Sequence, residues 1–377
     1  MQFGLEASLC ALVKSKFSTA KASQALIFSF TELSVLRPNS DTPFQLRYCP
    51  ALSEKPKNNS DDPSKDSESE EKKKFDPFEN PIGDLVIAHV PRTKPSHVLV
   101  LNKYPVIPQH FILATKKNKA QTHVLEEEDL AATYACLKEW EGTHDGSFTD
   151  VKDKRRLFAF FNSGEHSGAS QAHRHIQFLP VEEMARAQKK DDEGWRPLID
   201  SMLESRHTLE FEMAAGAEII APDSKRLLYS PSIPFTHFAV PIPPSPPSDT
   251  LFNLYKLLHE AASASVRTYI ASSPGDLSLH PTEGGASPIS YNLALTTSGM
   301  AICPRRREAG MLRDAGGAEV GDVALNGTIL AGTLMVKAED EWDLLRGEKG
   351  LEELDKLLEG IGIPQHVSEK GEDRLKL

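Results

Sequence analysis

Between positions 162 and 177 the chain carries the pattern N-S-G-x-x-S-G-x-S-Q-x-H-x-H-x-Q, occupied by Asn162, Ser163, Gly164, Ser167, Gly168, Ser170, Gln171, His173, His175 and Gln177. The first part is a turn of small residues. Glycines let a backbone approach a ligand closely, and serine hydroxyls with backbone N–H groups suit the oxygens of a phosphate. The second part follows at once. On an extended strand, side chains two apart share a face, so His173, His175 and Gln177 project together while Arg174, Ile176 and Phe178 face the other way. A neutral imidazole, with a reference pKa near 6.5, keeps its lone pair available near pH 7. Held by a hydrogen bond from Nδ1–H, it can aim Nε2 at phosphorus.

An H-x-H pair alone fits a metal pair or two satisfied polar groups equally well, and the glycine/serine turn is what favours chemistry. A zinc site needs a third and fourth ligand, and neither a cysteine nor a carboxylate stands at matching spacing. Glu182 and Glu183 are too commonplace to count, Glu165 and His166 read as loop surface, and His110 reads as a core histidine bonded to backbone.

Strands and helices must position this motif. DLVIAHV (84–90), HVLVLN (97–102) and HFILAT (110–115) are short apolar runs between turn residues and read as strands. Residues 126–141 place Leu130, Thr133, Tyr134, Leu137 and Trp140 at helical spacing behind an acidic first turn, which predicts an amphipathic helix. Strands over 156–162 and 172–180 then flank the 163–170 loop. After the proline-rich break at 241–249 the periodicity predicts a helix over 249–272, strands at 290–297, 300–305 and 329–337, and a closing helix over 351–362. Each half is thus strands plus a long helix, an α+β arrangement compatible with internal duplication.

The 377 residues suffice for two such halves. Residues 57–74 (KNNSDDPSKDSESEEKKK) hold no apolar side chain able to anchor a core and read as a disordered tether. A formal charge of -11 argues against a nucleic-acid duplex as partner while permitting a local basic pocket for a phosphorylated small molecule. Cys10, Cys49, Cys136 and Cys303 offer no C-x-x-C pair and suit a reducing compartment. Neither a membrane span nor a secretory signal is expected.

The H-x-H-x-Q run with its preceding loop resembles the transferase branch of the histidine-triad superfamily, in particular the fungal-type diadenosine tetraphosphate (Ap4A) phosphorylases. LSEKP (52–56), LNKYPVIPQHFILAT (101–115), SYNLALT (290–296), CPR (303–305) and NGTILAGTLMVK (326–337) resemble that family in the same order. The tether, residues 181–225 and the insert at 306–325 carry little of it. The resemblance implies a histidine-triad-like fold with two related α+β halves in one chain, antiparallel sheets and packed helices. It places a catalytic half at 1–225 and an adenylyltransferase half at 226–377 that completes the nucleotide site. It also implies cleavage of Ap4A by phosphate to ATP and ADP, with His175 as nucleophile and His173 and Gln177 beside it. An amide at 177 cannot act as a general base for water, which suits transfer to an already anionic phosphate. Adenosine 5′-phosphosulfate would be a further substrate.

Carried over by position, the substrate contacts are Lys55, Asn102, Lys103, Asn162, Gly168, Ala169, Ser170, Gln171, Asn326, Gly327, Thr328, Thr333 and Lys337. A lone lysine is as often a solvated surface charge, and 326–328 could be a plain turn. Magnesium is expected to travel with the nucleotide without dedicated protein ligands. The expected partners are small nucleotides and phosphate, the expected state a cytoplasmic monomer with the nucleus also open. The alternatives are a hexose-1-phosphate uridylyltransferase, whose H-P-H-P-Q pattern differs at Arg174 and Ile176, and a nucleotide sensor without turnover, for which an intact His175 has no use.

Overall fold

The computed structural model describes residues 2–37, 42–52, 75–142, 155–186, 194–211 and 226–365, so Lys55 and the tether expected at 57–74 lie outside the described residues. The described residues form seven α-helices and fifteen strands. The helices are α1 (Leu9–Ala22), α2 (Glu127–Glu141), α3 (Val181–Ala185), α4 (Leu198–Leu203), α5 (Ser248–Ser272), α6 (Glu339–Arg346) and α7 (Gly350–Ile361). The strands are β1 (Glu32–Leu36), β2 (Phe44–Tyr48), β3 (Val86–Val90), β4 (His97–Leu101), β5 (Phe111–Thr115), β6 (Leu157–Ser163), β7 (His175–Pro180), β8 (His207–Glu210), β9 (Arg226–Tyr229), β10 (Phe238–Pro241), β11 (Tyr291–Leu295), β12 (Gly299–Pro304), β13 (Ala309–Arg313), β14 (Glu319–Ala324) and β15 (Thr333–Val336).

Ten of the strands form one antiparallel sheet in the order β3-β4-β5-β7-β6-β11-β12-β10-β9-β8. The apolar faces of α1, α2 and α5 cover one side. Leu251, Tyr255, Leu258, Ala262, Val266 and Tyr269 recur three or four residues apart along α5 and are buried there with Leu113, Ile176, Phe178 and Phe161 of the sheet. The first turn of α2 is closed by Asp129, whose Oδ2 accepts from Glu126 N at 2.8 Å. A second core fills the opposite side over β6, β11, β12 and β10 and is roofed by α4, α6, α7, β15 and the 3₁₀ turn Gly327–Ala331.

The strand order is palindromic about the β6/β11 junction, which gives the duplication a concrete form. Superposing His110-Phe111 on His237-Phe238 carries β5-α2-β6-β7 onto β10-α5-β11-β12. Phe111 pairs with Phe178, and Phe238 pairs with Ile302, so Gln177 falls on Ala301 and His175 on Gly299. The loop of 163–174 shrinks to a tight turn in the second half. A Cβ on Gly299 would lie 2.4 Å from Leu203 Cδ2 and 2.7 Å from Val240 O, so α4 occupies the ground where a second nucleophile would stand. The two halves are related, and only the first carries the histidines.

Several expectations shift. The strand expected over 172–180 begins at His175, and His173 makes only an isolated bridge to Ala120. The strand expected over 329–337 is a 3₁₀ turn followed by β15, because Gly332 takes a left-handed φ of 63° that breaks extended chain. The glycine-rich insert at 306–325 forms the β13/β14 hairpin against α7. β8 pairs with β9, and α4 packs on β10 and β12.

Candidate active site

His175 opens β7 opposite Ala114 of β5, on the face away from α2 and α5. Its Nδ1 donates to His173 O at 2.8 Å. Only Nε2 is left without a protein partner among the described residues. The ring is nearly buried, and the Phe78 ring lies 5.1 Å from it. That burial lowers the imidazole pKa to about 4, against the opposing pull of the His173 carbonyl. The ring is therefore a neutral base at pH 7, with its lone pair on Nε2.

The backbone of His175 is clamped by a residue that sequence reasoning passed over. Gln121 Oε1 accepts from His175 N at 2.7 Å, while Nε2 donates to Asn162 O at 2.7 Å and His175 O at 3.2 Å. A side-chain amide thus takes the place of the β6/β7 ladder bonds, whose last pair is Phe160 and Gln177. The ends of the two strands are held together without a backbone pair between them.

His173 stands behind His175. Its Nε2 faces Thr115 O at 2.6 Å and its Nδ1 faces Asp76 Oδ2 at 2.7 Å, so both ring nitrogens are committed to oxygens that accept. The Thr115 hydroxyl cannot reverse this, because it donates to Lys117 O at 2.7 Å. The His173 carbonyl aims His175. Asp76 also accepts from Phe78 N and Asn118 Nδ2, both at 2.9 Å. Desolvation pushes its pKa up, and these hydrogen bonds with the His173 ring outweigh it and leave the pKa lowered. Between the two histidines, Arg174 points the other way into the first turn of α2, donating to Asp129 Oδ2 at 2.8 Å and Glu126 Oε1 at 3.0 Å.

Gln177 is oriented by His110, which lies in the site instead of the core. Tyr104 N donates to Asn102 Oδ1 at 2.9 Å, which turns Asn102 Nδ2 toward His110 Nδ1 at 3.1 Å. With Nδ1 accepting, His110 Nε2 donates to Gln177 Oε1 at 3.1 Å. The Gln177 amide N–H groups are left to face the site. Asn102 therefore acts on this chain of hydrogen bonds.

The loop before the histidines is built for contact with the second half. Gly164 and Gly168 have φ of 88° and 76°. A Cβ on Gly164 would meet Ser290 Cα at 2.8 Å, and one on Gly168 would meet Leu325 O and Asn326 Cβ at 2.8 Å. These glycines serve close packing between segments as well as turn geometry, where sequence suggested close approach of ligand. Asn162 Oδ1 accepts from Gly327 N at 2.9 Å, which brings 326–328 to the same place. Asn326 caps its 3₁₀ turn by accepting from Thr328 N at 3.0 Å, and Thr328 Oγ1 donates to Thr333 O at 2.9 Å. Ala169 and Gln171 are half-buried and Ser170 exposed on the loop. Thr333 is buried with its hydroxyl on Gln45 Oε1 at 3.3 Å, so that hydroxyl is spent on structure. Lys103 and Lys337 are exposed, Lys103 with its Nζ 5.5 Å over the Tyr104 ring. Among the described residues no group of three or more His, Cys, Asp or Glu could hold a metal ion, and no helix is long and apolar enough to cross a membrane.

The sheet thus gathers a neutral, aimed imidazole, an oriented amide and a glycine turn braced by the second half. Two family models match the chain, the Ap4A phosphorylase N-terminal domain over residues 4–191 and the ATP adenylyltransferase C-terminal domain over 231–364. Diadenosine 5′,5‴-P1,P4-tetraphosphate phosphorylase 2 of Saccharomyces cerevisiae is 27% identical over 373 residues, covering 97% of this chain and 98% of that protein. Protein APA1 of the same yeast is 26% identical over 312 residues, 80% of this chain and 81% of its own. The fold matches the crystal structure of yeast Ap4A phosphorylase Apa2 in complex with Ap4A with a TM-score of 0.69 at 24% identity, covering 96% of this chain and 100% of that one. The chain with the His175 site is a member of the Ap4A phosphorylase family, with its ATP adenylyltransferase C-terminal domain.

Proposed function

We propose that this protein cleaves Ap4A with inorganic phosphate to ATP and ADP through an adenylyl group carried on His175. The observation that carries the reading is the bond from His175 Nδ1 to His173 O, which leaves Nε2 as the ring's lone pair in an imidazole held neutral by burial. In the first step Nε2 attacks the α-phosphorus, the bond to the bridging oxygen breaks, and ATP departs with that electron pair. The substituted ring is then cationic, and its Nδ1–H remains on the His173 carbonyl. In the second step a phosphate oxygen attacks the same phosphorus, the P–N bond breaks, and ADP leaves a neutral ring. Gln177 donates to a non-bridging oxygen as charge grows there. Asn162, Gly168 and 326–328 line the path of the polyphosphate, and Lys55, Lys103 and Lys337 meet its outer charges.

Magnesium rides on the polyphosphate without ligands from the protein. Adenosine 5′-phosphosulfate would enter the same two steps with sulfate as the leaving group. The relation between halves supports a monomer, since a second related half is already supplied in the chain, and four free cysteines suit a reducing cytoplasm.

The test is incubation with Ap4A with and without phosphate. ATP and ADP formed only with phosphate support transfer, whereas ATP and AMP in plain buffer mean a hydrolase. Mass spectrometry without phosphate should find an AMP adduct that His175→Ala lacks, while His123→Ala keeps both adduct and turnover. Equal behaviour of the two variants would remove His175 from its role.

A further inference from the structure

Arg305 directly follows β12 with 1% of its surface exposed and donates only to neutral acceptors. Its partners are Asn292 Oδ1 at 2.5 Å, Arg307 O at 2.9 Å, Leu325 O at 3.0 Å, Glu308 O at 3.2 Å and Ile361 O at 3.3 Å. No carboxylate stands within ion-pair distance among the described residues. A buried cation without a counter-ion is costly, and its desolvation lowers the pKa to about 10, which still leaves it charged at neutral pH.

What the guanidinium contacts is more specific than packing requires. A donor-only group on Asn292 Oδ1 settles which way that amide faces. Nδ2 must then point at Asn162 Oδ1 and Ser167 O, both at 2.9 Å. Asn162 Oδ1 accepts from Asn292 and Gly327 N together, which turns its own Nδ2 toward Gly168 O at 3.5 Å. The other arm of Arg305 holds Leu325 O, two residues before Gly327. One cation therefore braces both walls of the site, the loop after β6 through two asparagines and the 325–327 segment directly.

We propose that Arg305 and Asn292 are positioning residues for adenylyl transfer, setting the amide direction of Asn162 and the register of loop 163–168 against 325–328. Neither is hydrogen-bonded to His175. The proposal rests on the Ap4A reading above, and the experiment separates the two.

The test compares wild type with Asn292→Asp and Arg305→Lys. A carboxylate at 292 keeps an acceptor for Arg305, so Asn292→Asp should melt within a few degrees of wild type. It also sets an oxygen against Ser167 O and Asn162 Oδ1 where a donor stood. With Ap4A and phosphate, kcat should fall on the order of 30-fold at pH 8 with a smaller change in KM. The Arg305 guanidinium beside the new carboxylate holds it ionised, so the deficit should persist from pH 8 down to pH 5.5. Hydrogen exchange reads positioning without substrate: amides of 163–170 and 325–328 should exchange about tenfold faster in Asn292→Asp, with β5 unchanged. Arg305→Lys should show the same exchange pattern. Wild-type exchange in these loops, or kcat of Asn292→Asp within threefold of wild type, overturns the proposal. A wild type that leaves Ap4A intact in phosphate sinks the reaction reading, and the exchange result then decides on positioning.

Discussion

His110 Nε2 donates to Gln177 Oε1 across 3.1 Å, and this bond decides which way the Gln177 amide faces. Its direction is inherited from the backbone N–H of Tyr104 through Asn102 and the His110 ring. Removing the ring in His110→Ala frees the amide to rotate, and kcat should drop by about tenfold or more with little change in KM, since an oriented donor matters most in the transition state. Gln177→Ala should cost about a hundredfold. Steady-state kinetics on both variants checks this, and an unchanged kcat in His110→Ala would show that the amide is oriented by other means.

Asp76 acts on His175 through His173, whose Nδ1 it holds at 2.7 Å. In Asp76→Ala the first histidine loses its Nδ1 partner, its carbonyl drifts, and the aim of His175 Nε2 loosens. A drop in kcat of about ten- to a hundredfold is expected. Asp76→Asn keeps an acceptor oxygen and should recover part of it. Slower adenylylation in a phosphate-free single turnover is the measurement, and adduct formation at the wild-type rate in Asp76→Ala would dismiss the link.

Gly168 and Gly317 share a left-handed backbone and differ in surroundings. A methyl on Gly168 strains φ of 76° and strikes Leu325 O and Asn326 Cβ, whereas Gly317, with φ of 85° at the β13/β14 turn, has nothing within 4 Å. Both Gly→Ala changes should lower stability, by about 1–3 kcal/mol for the backbone alone. Gly168→Ala should in addition lose most activity, because the loop must shift off the second half. Denaturant unfolding with an Ap4A assay separates the two effects, and equal activity in both variants would remove loop 163–168 from the site.

Burial holds three imidazoles neutral, with the pKa of His175, His237 and His259 each lowered to about 4. The unfolded chain takes up protons at these positions below its ordinary value near 6.5, and the folded chain does not until near 4. Unfolding is thus favoured by acid: stability is full above about pH 6.5 and falls on the way to 4, by up to about 1.4 kcal/mol per pH unit for each ring. Urea unfolding from pH 7 to 4.5 measures the slope, and His237→Gln should flatten it by one proton. A stability independent of pH across that window would mean that the rings are already charged in the fold.

The chemistry of the 162–177 segment was legible because it is local. Glycine spacing, two-residue alternation and imidazole acidity are properties of a short stretch, and they placed His175 next to a turn of small residues before any packing was known. Long periodic elements were legible for the same reason, α2 and α5 above all, whose buried positions repeat at three and four residues. Short strands such as β8 and β9 were not, since four residues with a single buried side chain leave no period to detect.

The partners of the motif came from afar. Asp76 reaches His173 across 97 positions, His110 reaches Gln177 across 67, and Asn292 reaches Asn162 across 130. Asn, Gln, Asp and His are polar residues with many uses, and nothing adjacent to them in the chain indicates which other polar group they will meet. The sequence by itself determined the H-x-H-x-Q row and the strand that bears the His175 imidazole. Only the tertiary structure decided how that group is aimed, because a hydrogen bond acts over about 3 Å and its partners are chosen by the sheet that brings distant strands side by side.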